Sequence, residues 1–361
     1  MFSVHIDTGR TWRGGQNQVL LTVHGLRSNG HRAALIAHQG GELHRRTMEH
    51  LDIIPLAMRS EIDLLAAWQL AQTLRQLKPN VVHAHDGHAV AIAALARLFI
   101  PSKSSSRLVA SRRVDFHINK NVFSRWKYQQ VDYFICASSL IQSMLVNDGI
   151  PLSRTAVVYE GINVEHISSV PRHNITGEFS LPAHTPIVGN VAALVPHKGQ
   201  RYLIDAAHLV IRDIPDARFV IVGQGELESE LQKQIRRYKL ERHVLLTGFR
   251  SDVMSLHKGF DLFVMSSLTE GLGTSILDAM ASSRPVVATR TGGIPEVVAD
   301  EKTGLLVPPR NPEALAQAIV RLLRDESLRL RMGQTGLARV KSKFSAGRMI
   351  QETFDVYERL G

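Results

Sequence analysis

Ser266-Ser267-Leu268-Thr269-Glu270-Gly271-Leu272-Gly273-Thr274-Ser275-Ile276-Leu277-Asp278-Ala279-Met280 follows directly on the apolar run Asp261-Leu262-Phe263-Val264-Met265. A short apolar run leading into glycines and then a helical pattern puts Glu270 in the loop at a strand's carboxyl end, where open α/β sheets bind ligands. Glycines at 271 and 273 let backbone N–H groups approach a ligand closely, and the start of the next helix adds the positive end of a dipole, which suits phosphate. Ser275-x-x-Asp278 also reads as a capping box, so Asp278 is either a helix-start residue or a ligand contact. Glu270 has no such local reason to be there.

Outward from this stretch the pattern repeats. On its N-terminal side lie Ile187-Val188-Gly189-Asn190-Val191, then Lys198-Gly199 before a helix Tyr202–Asp213, Arg218-Phe219-Val220-Ile221-Val222-Gly223-Gln224-Gly225, and Val244-Leu245-Leu246-Thr247-Gly248-Phe249-Arg250. On the other side come Pro285-Val286-Val287-Ala288-Thr289 with Gly292-Gly293, and Asn311-Pro312 capping a helix Glu313–Leu323. Glycine at the same edge of several strands is harder to explain by turn chemistry than any single case. A lysine opening a helix, as Lys198 does, can pair with a phosphate oxygen.

The first half alternates in the same way. A strand Phe2–Asp7 leads to Gly14-Gly15 and a helix through Val19, Leu20, Val23 and Leu26; strands Arg32–Ala37, Ile53–Leu56, Val81–Ala84, Leu108–Ser111, Tyr133–Ala137 and Thr155–Tyr159 follow, with helices Glu61–Leu77, His88–Phe99 and Ser139–Asp148 among them. Such alternation predicts an α/β chain with parallel sheets covered by helices on both faces. Periodicity lapses through Pro171, Gly177, Pro182 and Pro186. The predicted organisation is an N-terminal domain over 1–165, a linker over 166–186, a second α/β domain over 187–343 and a terminal helix over 344–361.

At the end of the fourth strand stand His83, His85 and His88. Alternation puts His83 and His85 on one face with His85 nearer the loop, and Asp86 beside it to orient it or to bind a hydroxyl. A strand end of this type offers two ligands where a tetrahedral site wants more, so no metal is predicted.

The chain has 361 residues, 44% of them hydrophobic, which suits two cores. The longest apolar candidate, Ala89 to Ile100, is short and carries Arg97, and the N-terminus opens on a strand, so a cytoplasmic location is expected. The single Cys136 rules out an internal disulfide framework. Net charge is +10, and between Pro101 and Lys127 seven basic residues face one acid, Asp115. Arg112, Arg113 and Lys120 of this segment are read as a surface for an anionic acceptor or membrane, the plain alternative being a solvated basic face. Aromatics at 6% and the lack of a recognisable motif argue against nucleic acid.

Lys198-Gly199, Val222-Gly223-Gln224-Gly225, Thr247-Gly248, Glu270-Gly271-Leu272-Gly273, Asp278-Ala279-Met280-Ala281, Pro285-Val286-Val287-Ala288 and Thr303-Gly304-Leu305-Leu306-Val307 together resemble the retaining, nucleotide-sugar-dependent glycosyltransferases of the GT-B fold, family 4 or group 1. Gly14-Gly15, Val82-His83-Ala84-His85 and Val157-Val158-Tyr159-Glu160-Gly161-Ile162-Asn163 extend the resemblance into the first half. It implies two Rossmann-like domains whose parallel sheets face one another across a cleft, the donor held mainly by the C-terminal domain, the acceptor by the N-terminal one, and a terminal helix that crosses back.

The resemblance also implies roles. Glu270 matches the first glutamate of a Glu-x7-Glu motif and would contact the donor sugar; Asp278 stands where the second would hold the ribose, about 1.5 Å shorter in reach. Lys198, Glu270 and His85 are the implied catalytic residues. Gly14, Gly15, Gly225, Gly248, Phe249, Arg250, Gly271, Leu272, Gly273, Thr274 and Asp278 are the implied donor contacts. Ala192-Ala193 replaces the arginine that relatives pair with the lysine, so the phosphates would lean on Lys198, the Gly271–Thr274 amides, Gly15 across the cleft, or another arginine such as Arg290. The implied reaction is metal-independent retaining transfer from a UDP- or GDP-sugar to a hydroxyl acceptor, without cofactor, in cell-envelope glycan or glycolipid synthesis at the inner membrane face. An epimerase of the same fold and a non-catalytic nucleotide-sugar-binding protein are the alternatives; a dehydrogenase is disfavoured because no strand runs into G-x-G-x-x-G.

Overall fold

The computed structural model describes residues 1–47, 53–101, 106–119 and 121–360. They form two compact units, Met1–Gly161 with Ala346–Gly361, and Ile162–Ser345. Residues 166–186, expected as a linker, carry the short helices Val164–Ser169 and Ile175–Glu178 and belong to the second unit. Ser255 Oγ and Lys258 Nζ tie this segment down by donating to the carbonyls of Pro171 and Ser168. Among the described residues no helix is long and apolar enough to cross a membrane.

The first unit is built on seven parallel strands: β1 (Phe2–Asp7), β2 (Arg32–His38), β3 (Ile53–Leu56), β4 (Val81–Ala84), β5 (Arg107–Arg112), β6 (Tyr133–Cys136) and β7 (Thr155–Val157). Their order is β3-β2-β1-β4-β5-β6-β7. Every residue of β1 is buried, as expected for a central strand covered on both faces. One face packs Val4, Ile6, Ile36, Leu70, Ile92 and Phe134. The other packs Val19, Val23, Leu26, Leu35, Val81 and Val109 against Ile350, Val356 and Tyr357 of the helix Ala346–Glu358. Each such side chain contributes about 1.5–3 kcal/mol when fully buried. Gly25 lets the terminal helix in: a Cβ there would lie 2.0 Å from Ile350 Cδ1.

The second unit has six strands: β8 (Ile187–Val191), β9 (Arg218–Val222), β10 (Val244–Leu246), β11 (Leu262–Met265), β12 (Val286–Thr289) and β13 (Gly304–Val307), ordered β10-β9-β8-β11-β12-β13. In both sheets the order reverses once, between β1 and β4 and between β8 and β11. These are the switch points at which open α/β sheets leave a crevice beyond the strand ends. His85 follows β4, and Lys198 and Glu270 follow β8 and β11.

Candidate active site

Three loops meet at the second unit's switch point. Leu268 N donates to His197 O at 2.7 Å and Ser266 Oγ donates to Lys198 O at 3.2 Å, joining the loop after β11 to the one after β8. Gly199, at φ 65°, permits this approach, since a Cβ would stand 2.2 Å from Ser266 O. The loop after β12 closes the third side: Gly293 N donates to Glu270 O at 2.9 Å. Gly292, at φ 57°, leaves no room for a Cβ, which would lie 1.9 Å from that oxygen.

The result is an ion pair. Lys198 Nζ sits 2.5 Å from Glu270 Oε2, with Ser267 Oγ donating to the same oxygen at 3.3 Å. The side chains are 19% and 13% exposed, so the pair is largely out of water and its charges are weakly screened. An ammonium has three donors, so Lys198 holds Glu270 with one and retains donor capacity for an anion.

The other predicted donor contacts fall into distinct places. The helix behind the glycines is Thr274–Ala281, with Gly273 at its N-cap at φ 96° and Leu272 buried beside it. Asp278 is therefore the fifth helical residue, and the capping-box reading of Ser275-x-x-Asp278 is corrected: the positive φ that only glycine adopts easily moved the cap two residues earlier. Gly223 and Gly225 serve close packing, because a Cβ on either would lie 2.0 or 2.3 Å from the carbonyls of Ala192 and Leu194. Gly248 O accepts from Gly223 N at 2.9 Å, and Phe249 is 52% exposed. Arg250 is committed to two carboxylates, Glu178 at 2.5 Å and Asp252 at 2.7 Å, which raise its pKa. Arg290, the substitute cation, is ion-paired with Asp300.

In the first unit Gly14 and Gly15 open the helix Gly14–Ser28 and so do not form a loop before it. A Cβ on Gly15 would meet nothing within 4 Å. Asp86 is the N-cap of the helix Gly87–Arg97, accepting from His88 and Ala89 N–H at 2.9 Å, and it also takes Thr8 N and Oγ1 at 2.7 Å. It does not orient His85. Asp7 beside it is pushed up to about 6, by burial first and by Asp86 next.

What surrounds His85 is a third histidine that strand periodicity did not reveal. His5 of β1 lies in register with His83, and its Nδ1 is 2.9 Å from His85 Nε2. Arg113, a donor only, directs Nη1 and Nη2 at His85 Nδ1, each at 3.3 Å. That assigns the protons by elimination: Nδ1 of His85 accepts, so its Nε2–H donates to His5 Nδ1, and His5 Nε2–H donates to Ser3 Oγ at 3.0 Å. His83 is separately held by Tyr357 Oη at 2.5 Å and Ser111 Oγ at 2.8 Å. Burial holds His83 and His85 well below the usual imidazole range and His5 at about 3. Ligand atoms of the three rings lie within 4.8 Å of one another. The His5–His85 hydrogen bond, the bonds of His83 to Tyr357 and Ser111, and the adjacent guanidinium, itself paired with Glu160 at 3.2 Å, oppose a cation there.

The basic segment is less of a surface than its sequence suggested. Arg112 is 7% exposed and Lys127 is buried, with Nζ 3.2 Å from Glu61. Lys120 lies outside the described residues. His85, Arg112 and Arg113 instead line a cavity of about 1330 Å³ in the first unit, together with Arg10, Arg13 and Arg59.

The model of "Glycosyltransferase Family 4" matches residues 12–166, and that of "Glycosyl transferases group 1" matches 172–339. A glycosyltransferase of Methanocaldococcus jannaschii is 33% identical over 245 residues, 67% of this chain and 64% of the relative. An Escherichia coli UDP-Gal:α-D-GlcNAc-diphosphoundecaprenol α-1,3-galactosyltransferase is 24% identical over 82% of this chain and 79% of its own. The chain spans from about half to two thirds of the length of the first curated relatives it matches. Among solved structures, HepE from Anabaena in complex with UDP-glucose superposes with a TM-score of 0.86 at 22% identity, over 99% of this chain and 100% of that one. The likeness in fold and the two family matches, which between them take in both sheets, place this chain in the family 4, group 1 glycosyltransferases of the GT-B fold.

Proposed function

We propose that the protein transfers a sugar from a nucleoside-diphosphate sugar, a UDP- or GDP-sugar, to a hydroxyl acceptor with retention of configuration and without a metal. The observation that carries this reading is the Lys198–Glu270 pair at the switch point of the second sheet. Lys198 and the amides of Gly271 to Thr274 stabilise charge building on the departing diphosphate, each preorganised donor supplying about 3 kcal/mol to the transition state. Glu270 orients the sugar hydroxyls and is not a covalent nucleophile. Asp278, one turn into the helix, takes the ribose. Neutral His85, its two ring nitrogens engaged by Arg113 and His5, helps to shape the sugar site by holding the Arg113 guanidinium in place and does not act as an acid.

The acceptor hydroxyl attacks the face that the diphosphate leaves, and a departing phosphate oxygen takes its proton. HepE is a UDP-glucose complex, which favours a UDP-sugar donor; the E. coli relative's name specifies a diphosphoundecaprenol-linked acceptor, which favours envelope glycan or glycolipid synthesis at the inner face of the membrane. A thermal-shift screen of UDP-, GDP- and ADP-sugars tests the donor class, since a ligand stabilises according to its concentration over its dissociation constant. No stabilisation by any of them, with no transfer to any acceptor, would overturn the proposal.

A further inference from the structure

The cavity of the first unit holds more positive charge than its carboxylates balance. Of the two acids that line it, Glu61 is taken by Lys127 at 3.2 Å, and Asp86 by Thr8 and the start of the helix Gly87–Arg97. Arg113 is matched by Glu160. Arg10, Arg13 and Arg112 then line the cavity with no carboxylate ion pair among the described residues, and Arg59 lines it beside Asp63, whose carboxylate accepts the Arg59 backbone N–H at 3.1 Å.

Arg112 is the exceptional one. Arg10, Arg13 and Arg59 are exposed, Arg10 donating Nε to His38 at 3.2 Å, whereas Arg112 is 7% exposed. Its guanidinium donates to Tyr128 Oη at 3.1 Å and to Phe116 O, and lies 4.9 Å from the centre of the Phe116 ring, all neutral groups. A buried charge without a counter-charge is costly, and one kept beside an open cavity is accounted for by an anion arriving there. Several guanidinium groups around one space match an oxyanion with several acceptor oxygens, which is phosphate chemistry. Arg13 adds to this, since it caps the helix Gly14–Ser28, whose first turn carries no acidic residue. Val114, Phe116 and Ile118 line the same cavity and give an apolar wall for the rest of the molecule.

We infer that this cavity binds a phosphate group carried by the acceptor, with Arg112 as the inner contact and Arg13 and Arg59 as the outer ones. The word acceptor rests on the proposed transfer reaction; the phosphate site does not.

The test is calorimetric titration of the full chain at fixed ionic strength with inorganic phosphate, with glycerol 1-phosphate, and with vesicles of phosphatidylglycerol or of phosphatidylcholine alone. Arg112→Gln is expected to weaken binding about tenfold or more, and the double variant Arg13→Gln/Arg59→Gln about threefold. Saturation by the soluble phosphates identifies a water-soluble acceptor; binding only to phosphatidylglycerol vesicles, lost in Arg112→Gln, identifies a lipid headgroup. Equal affinity of the wild type and the arginine variants overturns the site. Should Arg112→Gln unfold, the surface double variant decides alone. UDP-sugar binding by the Lys198→Ala variant is read separately: if it persists undiminished, the donor assignment fails while the phosphate site stands.

Discussion

Lys198 Nζ and Glu270 Oε2 lie 2.5 Å apart, although 72 residues separate them in sequence. Neither side chain can be removed without leaving the other as a largely buried, unpaired charge. Glu270→Ala and Lys198→Ala are each expected to lower kcat at least about a hundredfold while the protein stays folded. Because the two act as one unit, the double variant should lose much less than the combined single losses. Turnover of Glu270→Ala within threefold of wild type would remove Glu270 from the site.

Gly292 and Gly15 make opposite predictions for the same substitution. Gly292→Ala forces a methyl group into the carbonyl of Glu270 at a φ that side chains rarely adopt, and should cost about 1–3 kcal/mol along with most of the activity. Gly15→Ala meets no atom of the chain and sits inside a helix, so it should raise stability by up to about 1 kcal/mol. A fall in activity of Gly15→Ala beside a higher Tm would show that a ligand approaches that backbone. Unchanged activity would take Gly15 out of the donor contacts.

Acid should weaken the first unit through its histidines. His5, His83 and His85 are held neutral when folded, with pKa values below 6.5. Between pH 6.5 and pH 3 the unfolded chain therefore binds more protons, and stability falls as pH falls. Asp7 works in the opposite sense: its folded pKa of about 6 lies above the unfolded value of 3.8, so it favours folding at low pH and loses that contribution as pH rises through 6. Asp7→Asn should accordingly gain stability relative to wild type as pH goes from 4 to 7. Urea titrations at both pH values check this, and a difference that does not grow with pH contradicts the assignment.

Tyr357→Phe removes the hydroxyl that is hydrogen-bonded to His83 Nδ1. It leaves a buried ring nitrogen without that partner, at a cost of about 1–3 kcal/mol, and should lower Tm without altering nucleotide-sugar affinity. An unchanged Tm would mean that His83 needs no such bond.

Much of this was legible in the sequence, because parallel strands covered on both faces read as apolar runs and helix-opening glycines mark their ends. Glu270 and Lys198 were found from that pattern, and the pair between them is what the meeting of three loops added. His5 escaped notice for a physical reason: one histidine in a strand is unremarkable until the β1–β4 register sets it against His83, 78 residues away. Arg112 was read as surface because a run of like charges usually is solvated. Its burial depends on Tyr128 and Phe116, which only the fold brings to it. Ala192-Ala193 now has a steric context too, since Gly223 brings the loop after β9 against the Ala192 carbonyl.

The helix Ala346–Glu358 completes the face of the first sheet to which Val19, Val23 and Leu26 belong. That unit is thus interrupted in sequence by the whole of Ile162–Ser345. During synthesis, the ribosome delivers every residue of the second unit before the first can cover its sheet. The unit built on residues 1–161 cannot finish folding until Ala346–Glu358 has been made, and a chain broken off before Ala346 would present a sticky, half-dressed sheet to the cell.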